Sequence, residues 1–484
     1  MPRHRRARHT FSSAAGGACR LSSGKRYSRI LSDVPDYKTF LTVDELKDSS
    51  RRLAEEYPGR VSRITIGTSR NGEAIECLKI GEGRYRALMF GTPHPNEPVG
   101  SMMLDYLSMR LAKEEEPLGG LDFTWYLVKC ADPDGTRLNE GWFKGPFTLI
   151  DYIKNFYRPP HFQQVEWSFP IDYKTVRFNS PMPETKALMN IISKGTDFMF
   201  SLHNSAFGGV YFYVSEKAPE LCTLYQTIPR DQDLPLKLGE PEVPYAEKLD
   251  EAVYLMPTTS GKYDYLERNT HKDPKTMINH GGSSFEYARQ FSEVFALICE
   301  VPYFYDGRVC DSSQSDVTRR DAVLESIEIS DRLNRFLKEK YEHIEDCLTV
   351  FSRFKESVID NLKSYEDFNK AKRHWAEATL DPKLSATVAQ KFDSYVTERF
   401  YRLLPYGMFN RMIQYELDHG DSLEKSKLRN VMESVEQQLQ DEEKKLLDQL
   451  RYGVIPIRKL VRVQLEASLE SAEYALKTRH RPLM

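Results

Sequence analysis

The chain has 484 residues, 29% of them charged, and a formal net charge of −3. The near balance of 68 basic and 71 acidic residues gives no basic excess, so nucleic acid is not expected as a partner. A mean hydropathy of −0.56 and the lack of any apolar run near ~18 residues argue against a membrane span.

The first 32 residues are basic, rich in Ser, Gly and Ala, and contain no acidic residue. They also lack the apolar segment of a secretory signal. We expect a disordered basic tail over 1–32, and the alternative is an organellar transit peptide. Because the seven cysteines are scattered and none forms a C-x-x-C motif, we expect free thiols and a reducing compartment. The predicted location is therefore cytoplasmic, or organellar if the tail is a transit peptide.

Strand and helix patterns alternate over residues 33–312. Helical apolar spacing lies at 41–57, 98–114 and 184–195. Short apolar or alternating runs typical of strands lie at 61–67, 74–81, 87–91, 122–130, 197–203 and 295–304. Thr42 and Glu45 have the spacing of a capping box at the start of the first helix. This alternation predicts an α/β domain with a mainly parallel sheet.

Residues 313–484 have a different character, with few glycines, no strand pattern and a higher charge density. One apolar row with helical spacing comprises Leu428, Val431, Val435, Leu439, Leu446 and Leu450. We therefore predict an all-helical domain over 313–484. Monomers rarely expose large apolar patches, so we expect the helices to form a homodimer. Covering the active site is the alternative role for this domain.

Three polar segments lie at the ends of predicted strands. His94 and Glu97 follow the strand at 87–91, His203 ends the strand at 197–203, and Glu300 lies in the last strand. Ligands of α/β sheets collect beyond the carboxyl ends of the strands. Two imidazoles and one carboxylate are the ligand set of a catalytic zinc, whose fourth position is left to water. We expect one Zn²⁺ per chain, with Glu300 as the candidate general base.

The order of these motifs resembles the zinc carboxypeptidase family over about residues 40–305. Residues 94–97 (HPNE) match its His-x-x-Glu zinc motif, and 201–204 (SLHN) match the segment with the second zinc histidine. Residues 131–135 (ADPDG) resemble its Asn-Pro-Asp-Gly turn, and 281–300 resemble the closing segment that ends in the catalytic glutamate. The resemblance implies a metallopeptidase with a carboxypeptidase-like fold, in which a mixed, mainly parallel sheet is flanked by helices.

The resemblance also implies roles for individual residues. Arg137, within 136–142 (TRLNEGW), corresponds to the arginine that polarises the scissile carbonyl, and Glu300 corresponds to the catalytic glutamate. Asp134 is expected to orient a zinc histidine. The residues predicted to contact substrate are Asn96, Asn139, Arg158 and Arg177.

The chain departs from the family where the substrate is recognised. The family binds the terminal carboxylate of its substrate with an adjacent Asn-Arg pair, whereas residues 164–170 read QVEWSFP. Arg158 and Arg177 are the candidates to replace this pair, because arginine binds carboxylates bidentately. Asn96 stands in place of an arginine of the family, and Met277 lies near the position of its mobile tyrosine. The zinc chemistry is therefore predicted, but C-terminal exopeptidase specificity is not.

The sequence thus predicts a zinc-dependent hydrolase that cleaves a peptide or amide bond, with a peptide or small amide as substrate. One alternative is a deacylase or amidase for a small modified amino acid or metabolite, which the altered carboxylate site suggests. The other is a non-catalytic oligomeric interaction protein with a retired α/β domain. Zinc content distinguishes the enzymes from the interaction protein.

Overall fold

The computed structural model describes residues 26–479. The helices are α1 (Ser28–Ser32), α2 (Val43–Glu56), α3 (Val99–Ala112), α4 (Pro133–Arg137), α5 (Glu140–Phe143), α6 (Leu149–Asn155), α7 (Pro183–Ile192), α8 (Pro219–Asp231), α9 (Thr259–Asn269), α10 (Ser284–Ala288), α11 (Arg319–Ile344), α12 (Arg353–Thr379), α13 (Val388–Phe392), α14 (Glu398–His419), α15 (Lys425–Gln449) and α16 (Ile457–Arg479). The strands are β1 (Val61–Thr68), β2 (Ala74–Ile80), β3 (Tyr85–Phe90), β4 (Phe123–Val128), β5 (Ile171–Tyr173), β6 (Val176–Phe178), β7 (Phe198–Ser201), β8 (Tyr211–Val214), β9 (Lys248–Asp250), β10 (Val253–Leu255), β11 (Phe295–Glu300), β12 (Phe304–Tyr305), β13 (Gln314–Thr318), β14 (Ser385–Thr387) and β15 (Gly453–Val454). No helix in this range is long and apolar enough to cross a membrane.

The main sheet of the described chain has nine strands in the order β1-β2-β4-β3-β7-β11-β8-β10-β9. Its centre, β4-β3-β7-β11, is parallel. The β1-β2-β4 side and the β11-β8 pair are antiparallel. The predicted α/β class with a mixed sheet is therefore confirmed. Every residue of β7 is buried, which is why this central strand has a continuous apolar pattern in the sequence.

The predicted start of the first long helix is also confirmed. The Thr42 hydroxyl accepts a hydrogen bond from the Glu45 backbone N–H at 3.2 Å, and the Glu45 carboxylate accepts one from the Thr42 N–H at 2.8 Å. This capping box satisfies two backbone donors that a helix start leaves unpaired, so α2 begins directly after Thr42.

The N-terminal boundary at residue 32 is corrected by the structure. Residues 1–25 of the predicted tail lie outside the described residues. The rest of that segment contains α1, with Tyr27 and Ile30 each only 1% exposed. The Tyr106 hydroxyl donates to the Ile30 carbonyl at 2.6 Å, and the Tyr27 hydroxyl donates to Glu473 at 3.1 Å. Residues 26–32 therefore belong to the folded core.

Residues 313–479 are mostly helical but not entirely so. β13 pairs with β14, and β15 pairs with β12 of the preceding α/β region. These short antiparallel pairs lack the alternating apolar pattern that reveals longer strands in a sequence. The β12-β15 pair also connects the helical region to the α/β region through backbone hydrogen bonds.

The helical region packs on the α/β region of the same chain. Phe207 lies 5.8 Å from Phe400 between ring centroids, and Phe295 lies 5.0 Å from Tyr474. The apolar row that begins at Leu428 is buried in a core that both regions share. The exposed apolar surface that motivated the homodimer is therefore accounted for within the chain. The homodimer itself stays a prediction, which light scattering on the full chain checks.

A chain truncated after residue 312 is expected to be insoluble. Truncation uncovers Phe207, Phe295 and Phe304, which pack against aromatic rings of residues 400–474. Fully burying one such ring stabilises a protein by about 1.5–3 kcal/mol, and a whole domain is stable by only about 5–15 kcal/mol. Soluble yield and thermal unfolding, measured beside the full chain, check this. A soluble truncated chain with a cooperative transition would show that the two regions fold separately.

Candidate metal centre and its cavity

The sheet topology brings the predicted metal ligands to one place. β3, β7 and β11 are parallel neighbours, so their carboxyl ends lie at the same edge of the sheet. His94 and Glu97 follow β3, His203 follows β7, and Glu300 is the last residue of β11. All four are buried or nearly so at this edge, which is where open α/β sheets bind ligands.

Three side chains converge on a common point. Glu97 Oε1 lies 3.1 Å from His94 Nδ1, and Glu97 Oε2 lies 2.9 Å from His203 Nδ1. The two Nδ1 atoms lie 3.0 Å from each other, and ligand atoms of all three residues fit within 4.8 Å. Two ring nitrogens at this distance repel each other through their lone pairs unless a proton or a cation lies between them. Two imidazoles and a carboxylate are a preferred Zn²⁺ ligand set, so these residues fit zinc.

A series of hydrogen bonds determines which ring nitrogen of His203 faces the candidate metal site. The Ser201 hydroxyl donates to Glu166 Oε2 at 2.8 Å and lies 2.9 Å from His203 Nε2. Since the hydroxyl has a single proton, it accepts from the Nε2–H of His203, which leaves Nδ1 as the nitrogen that would bind a metal after losing its proton. Glu166 Oε1 accepts from the backbone N–H and hydroxyl of Ser284. Glu166 was not predicted, because its partners are 35 and 118 residues away.

Burial and neighbouring charges shift the pKa values of these groups. Burial, followed by the charge of Arg158, lowers the pKa of His94 to about 3. Burial opposes ionisation of Glu97, but His94, Arg158 and His203 hold its pKa well below the usual range. Burial also opposes a charged His203, but Glu97 raises the pKa of that imidazole to about 9. Burial and the charge of Glu97 raise the pKa of Glu300. A divalent cation at the centre reverses this effect by favouring an ionised Glu300.

Two predicted substrate-binding residues lie beside this centre. Arg158 Nη1 is 3.2 Å from Glu97 Oε1, and its guanidinium lines the cavity next to the metal ligands. Asn96 also lines the cavity, and its Nδ2 donates to the Tyr152 hydroxyl at 3.1 Å. The buried Oδ1 of Asn96 has no hydrogen-bond partner among the described residues. Both side chains are therefore placed to contact a substrate.

The two other predicted arginines are not at the site, and their assignments are corrected. Arg137 Nε lies 2.5 Å from Glu73, and its Nη2 lies 2.6 Å from Asp44, outside the cavity. These two carboxylates hold the guanidinium away from any scissile carbonyl. Arg177 is exposed on β6 and pairs with Asp172 at 2.7 Å. The motif around Arg137 is thus present in the sequence, but the Arg137 guanidinium does not lie at the position that the motif predicts.

Asn139 and Asp134 stabilise the neighbouring loops instead of touching substrate or a histidine. Asn139 is fully buried and exchanges two hydrogen bonds of 2.9 Å with the backbone of Tyr157. The Asp134 carboxylate accepts from the Ser69 hydroxyl at 2.7 Å and pairs with Arg353 at 3.2 Å. Neither side chain lines the cavity. The predicted substrate contact of Asn139 and the predicted histidine contact of Asp134 are therefore corrected.

The metal centre opens into a cavity of 730 Å³. Ligand-binding cavities typically measure about 300–1,000 Å³. One wall comes from the α/β region and the other from the helical region, which contributes Tyr365, Phe368, Trp375, Tyr401 and Arg402. The helices thus lie directly over the edge of the sheet where the metal ligands meet.

Helical residues also brace the metal loops. Gln464 Nε2 donates to the His203 carbonyl at 2.6 Å and to the Cys299 carbonyl at 3.2 Å. The Tyr401 hydroxyl accepts from the backbone N–H of Phe207 at 3.3 Å. Nothing local in the sequence marks Gln464 or Tyr401, because their partners are about 165–260 residues distant.

Comparison with known proteins assigns the chain to a family. Residues 46–307, more than half of the chain, match the family model of peptidase family M14, described as zinc carboxypeptidase. The zinc carboxypeptidase A 1 of Anopheles gambiae is 28% identical over 126 residues, which cover 23% of this chain and 29% of that protein. The chain thus aligns with less than a third of that relative's length. The resemblance to this family is confirmed.

The chain is also similar to solved structures of carboxypeptidases. Carboxypeptidase A from Helicoverpa armigera has 13% identity and a TM-score of 0.34, covering 74% of this chain and 80% of that chain. A metallo-carboxypeptidase from Burkholderia cenocepacia has 15% identity and a TM-score of 0.29, covering 54% of this chain and 60% of that chain.

Proposed function

Because the chain belongs to the zinc carboxypeptidase family, we propose that it hydrolyses peptide or amide bonds with one zinc ion bound by His94, Glu97 and His203. This is a family of metallopeptidases. The observation that carries the proposal is the convergence of three ligand atoms within 4.8 Å, beside a cavity of 730 Å³.

Glu300 is proposed to transfer the protons of the reaction. When bound, zinc supplies a Lewis acid that lowers the pKa of a water toward ~7. The Glu300 carboxylate lines the cavity with His94, and in the described part of the chain it makes no hydrogen bond or ion pair. It is therefore free to accept the proton of the attacking water and to return it to the leaving amine.

Arg158 is proposed to take the role first assigned to Arg137. Its guanidinium faces the cavity, and the Ser357 hydroxyl of α12 holds its backbone carbonyl at 2.7 Å. If Glu97 binds a metal, the ion would compete with Arg158 for its negative charge. The guanidinium of Arg158 would then be available to bind the substrate. A guanidinium in this position stabilises the negative charge that develops on the scissile carbonyl oxygen.

The helical wall supports a restriction to small substrates. Residues of α11, α12 and α14 line the cavity opposite the metal ligands, so a folded protein chain has little room beside them. We propose that the helical region covers the active site and limits substrates to short peptides or small amides. The deacylase or amidase hypothesis keeps its support, because no adjacent Asn-Arg pair lines the cavity in the described part of the chain.

The function is tested by metal content and a substrate panel. We expect elemental analysis to find about one zinc per purified chain, because three protein ligands suffice for a catalytic site. Short peptides, N-acyl amino acids and amide conjugates form the panel. Activity is expected to disappear on chelation and to return with added Zn²⁺.

Zinc-reconstituted protein without turnover on any panel member would contradict the hydrolase and favour the interaction protein. Full activity of the metal-free protein would contradict the zinc mechanism itself.

A further inference from the structure

The cavity continues from the metal centre to a second polar cluster. Lys262 on α9 and His280, just before α10, lie on one side, with Lys262 Nζ 2.8 Å from His280 Nε2. His161 and Asp360 of α12 lie beside them, with His161 Nδ1 2.7 Å from the Asp360 carboxylate. All four side chains line the same cavity as His94.

The hydrogen bonds of His280 define its charge. Its Nδ1 donates to the Gly281 carbonyl at 2.9 Å, which leaves Nε2 as an acceptor for the ammonium of Lys262. Burial, followed by the charge of Lys262, lowers the pKa of His280 well below its usual value, so the ring is neutral. Lys262 therefore has an uncharged partner and retains two further N–H donors for another group.

Lys262 also lacks a direct ion-pair partner. The nearby Asp360 carboxylate favours the charged form of Lys262 through its negative charge, but its hydrogen bonds come from the backbone and ring of His161 and from Asn279 Nδ2 at 2.6 Å. In residues 26–479, no carboxylate oxygen lies within 4.0 Å of Lys262 Nζ. Burial lowers the pKa of this lysine to about 8. A partly buried ammonium without a direct ion-pair partner is costly, and an incoming anion reduces that cost.

The cavity thus contains a cation that no protein carboxylate pairs with directly. Lys262 lines the cavity without an ion pair among the described residues, whereas the guanidinium of Arg158 is paired with Glu97 beside the metal ligands. A substrate carboxylate that reaches Lys262 gains a charge-assisted hydrogen bond from this ammonium. Trp167 packs edge-on against His280 at 5.7 Å and supports that ring as part of the wall.

We propose that Lys262, held in place by His280, binds a carboxylate of the substrate. This rests on the proposed function and narrows the substrate to peptides or amides that bear a carboxylate near the scissile bond. Two groups have this chemistry: the α-carboxylate of a C-terminal residue and the side-chain carboxylate of Asp or Glu. Either contact would supply the carboxylate binding that was predicted for Arg177, a residue that does not line the cavity.

The test compares Lys262→Met with wild type on matched short substrates. One arm has a neutral C-terminal residue with a free α-carboxylate, and the other has a C-terminal Glu with its α-carboxylate amidated. The third substrate is amidated and carries no carboxylate. For the carboxylate that Lys262 binds, we expect KM to rise about 10- to 100-fold, while zinc content and turnover of the uncharged substrate stay unchanged. Lys262→Arg is expected to restore part of the affinity.

Lys363→Met is the matched control, since this exposed lysine of α12 borders the same cavity. It is expected to leave KM unchanged, and an equal rise would overturn the proposal in favour of a general electrostatic effect. Unchanged KM values in Lys262→Met on both carboxylate substrates would also overturn it.

Calorimetric binding of N-acetyl-L-glutamate separates this inference from the hydrolase itself. Wild type is expected to bind it, and Lys262→Met to bind it about 10- to 100-fold more weakly, whether or not any substrate is turned over. Equal binding by both proteins would overturn the subsite. Absent turnover in wild type, with this difference in binding retained, would contradict only the proposed hydrolase.

Discussion

Glu300→Gln is expected to lower kcat by a factor on the order of 10²–10⁴ while leaving about one zinc per chain. The amide keeps the shape of the side chain but accepts no proton from water. The Glu300 side chain makes no hydrogen bond or ion pair in residues 26–479 that the substitution would break, so the fold is expected to be unaffected. Steady-state kinetics and elemental analysis on the same preparations check both parts.

Glu242→Gln is the matched control for this experiment. Glu242 lines the same cavity and accepts from the hydroxyls of Tyr211 and Tyr213 at 3.3 and 3.2 Å. Its replacement removes an equal charge and is expected to have a much smaller effect on kcat. If Glu300→Gln keeps nearly full activity, another carboxylate is the base. Glu286 is a poor substitute, because it accepts backbone hydrogen bonds from Ser283 and Thr259.

His203→Ala is expected to lose most of the bound zinc and, with it, the activity. The substitution removes one of only three protein ligands and leaves a buried carboxylate and imidazole without their partner. Zinc content after dialysis, together with circular dichroism to verify the fold, measures the effect. Full zinc occupancy in this variant would exclude His203 from the metal site.

Ser201→Ala provides a graded comparison at the same ligand. It retains the His203 ring but breaks the hydrogen-bonded chain to Glu166. Loss of such an outer contact typically weakens metal binding by about 10–100-fold, much less than loss of the ligand itself. Equal zinc affinity in Ser201→Ala and wild type would show that the hydroxyl does not control the tautomer of His203.

The convergence of the three candidate metal ligands could be predicted because each follows a strand whose apolar run is visible in the sequence. Once β3, β7 and β11 are parallel neighbours, His94, Glu97 and His203 reach the same edge with no further information. The order of the motifs along the chain therefore agrees with the order of the parallel strands in the sheet.

Arg137 shows why a motif alone does not place a side chain. Its direction is decided by Asp44 and Glu73, which lie 93 and 64 residues earlier and belong to other elements. Local spacing contains no information about such partners. The same reason explains why the bracing contact of Gln464 and the position of Lys262 were not predicted.

The apolar row at Leu428 shows a related limit. Periodicity identified a buried helix face but did not specify the surface that covers it. The sequence argument favoured a second subunit, whereas the face packs into the chain's own core. Amphipathic helices next to an α/β region therefore predict burial without predicting the partner.

The contact of Gln464 with the His203 carbonyl has a consequence for biosynthesis. During translation the chain is made from its N-terminus, so His94, Glu97, His203 and Glu300 all leave the ribosome before α16 is complete. The Gln464 contact to the loop that carries His203 forms only when α16 has docked. The segment around α1 also packs only after α16 is present, because the Tyr27 hydroxyl donates to Glu473 of that helix. A nascent chain that lacks residues 457–479 is thus expected to be catalytically silent, which would delay the proposed hydrolase activity until α16 has been synthesised.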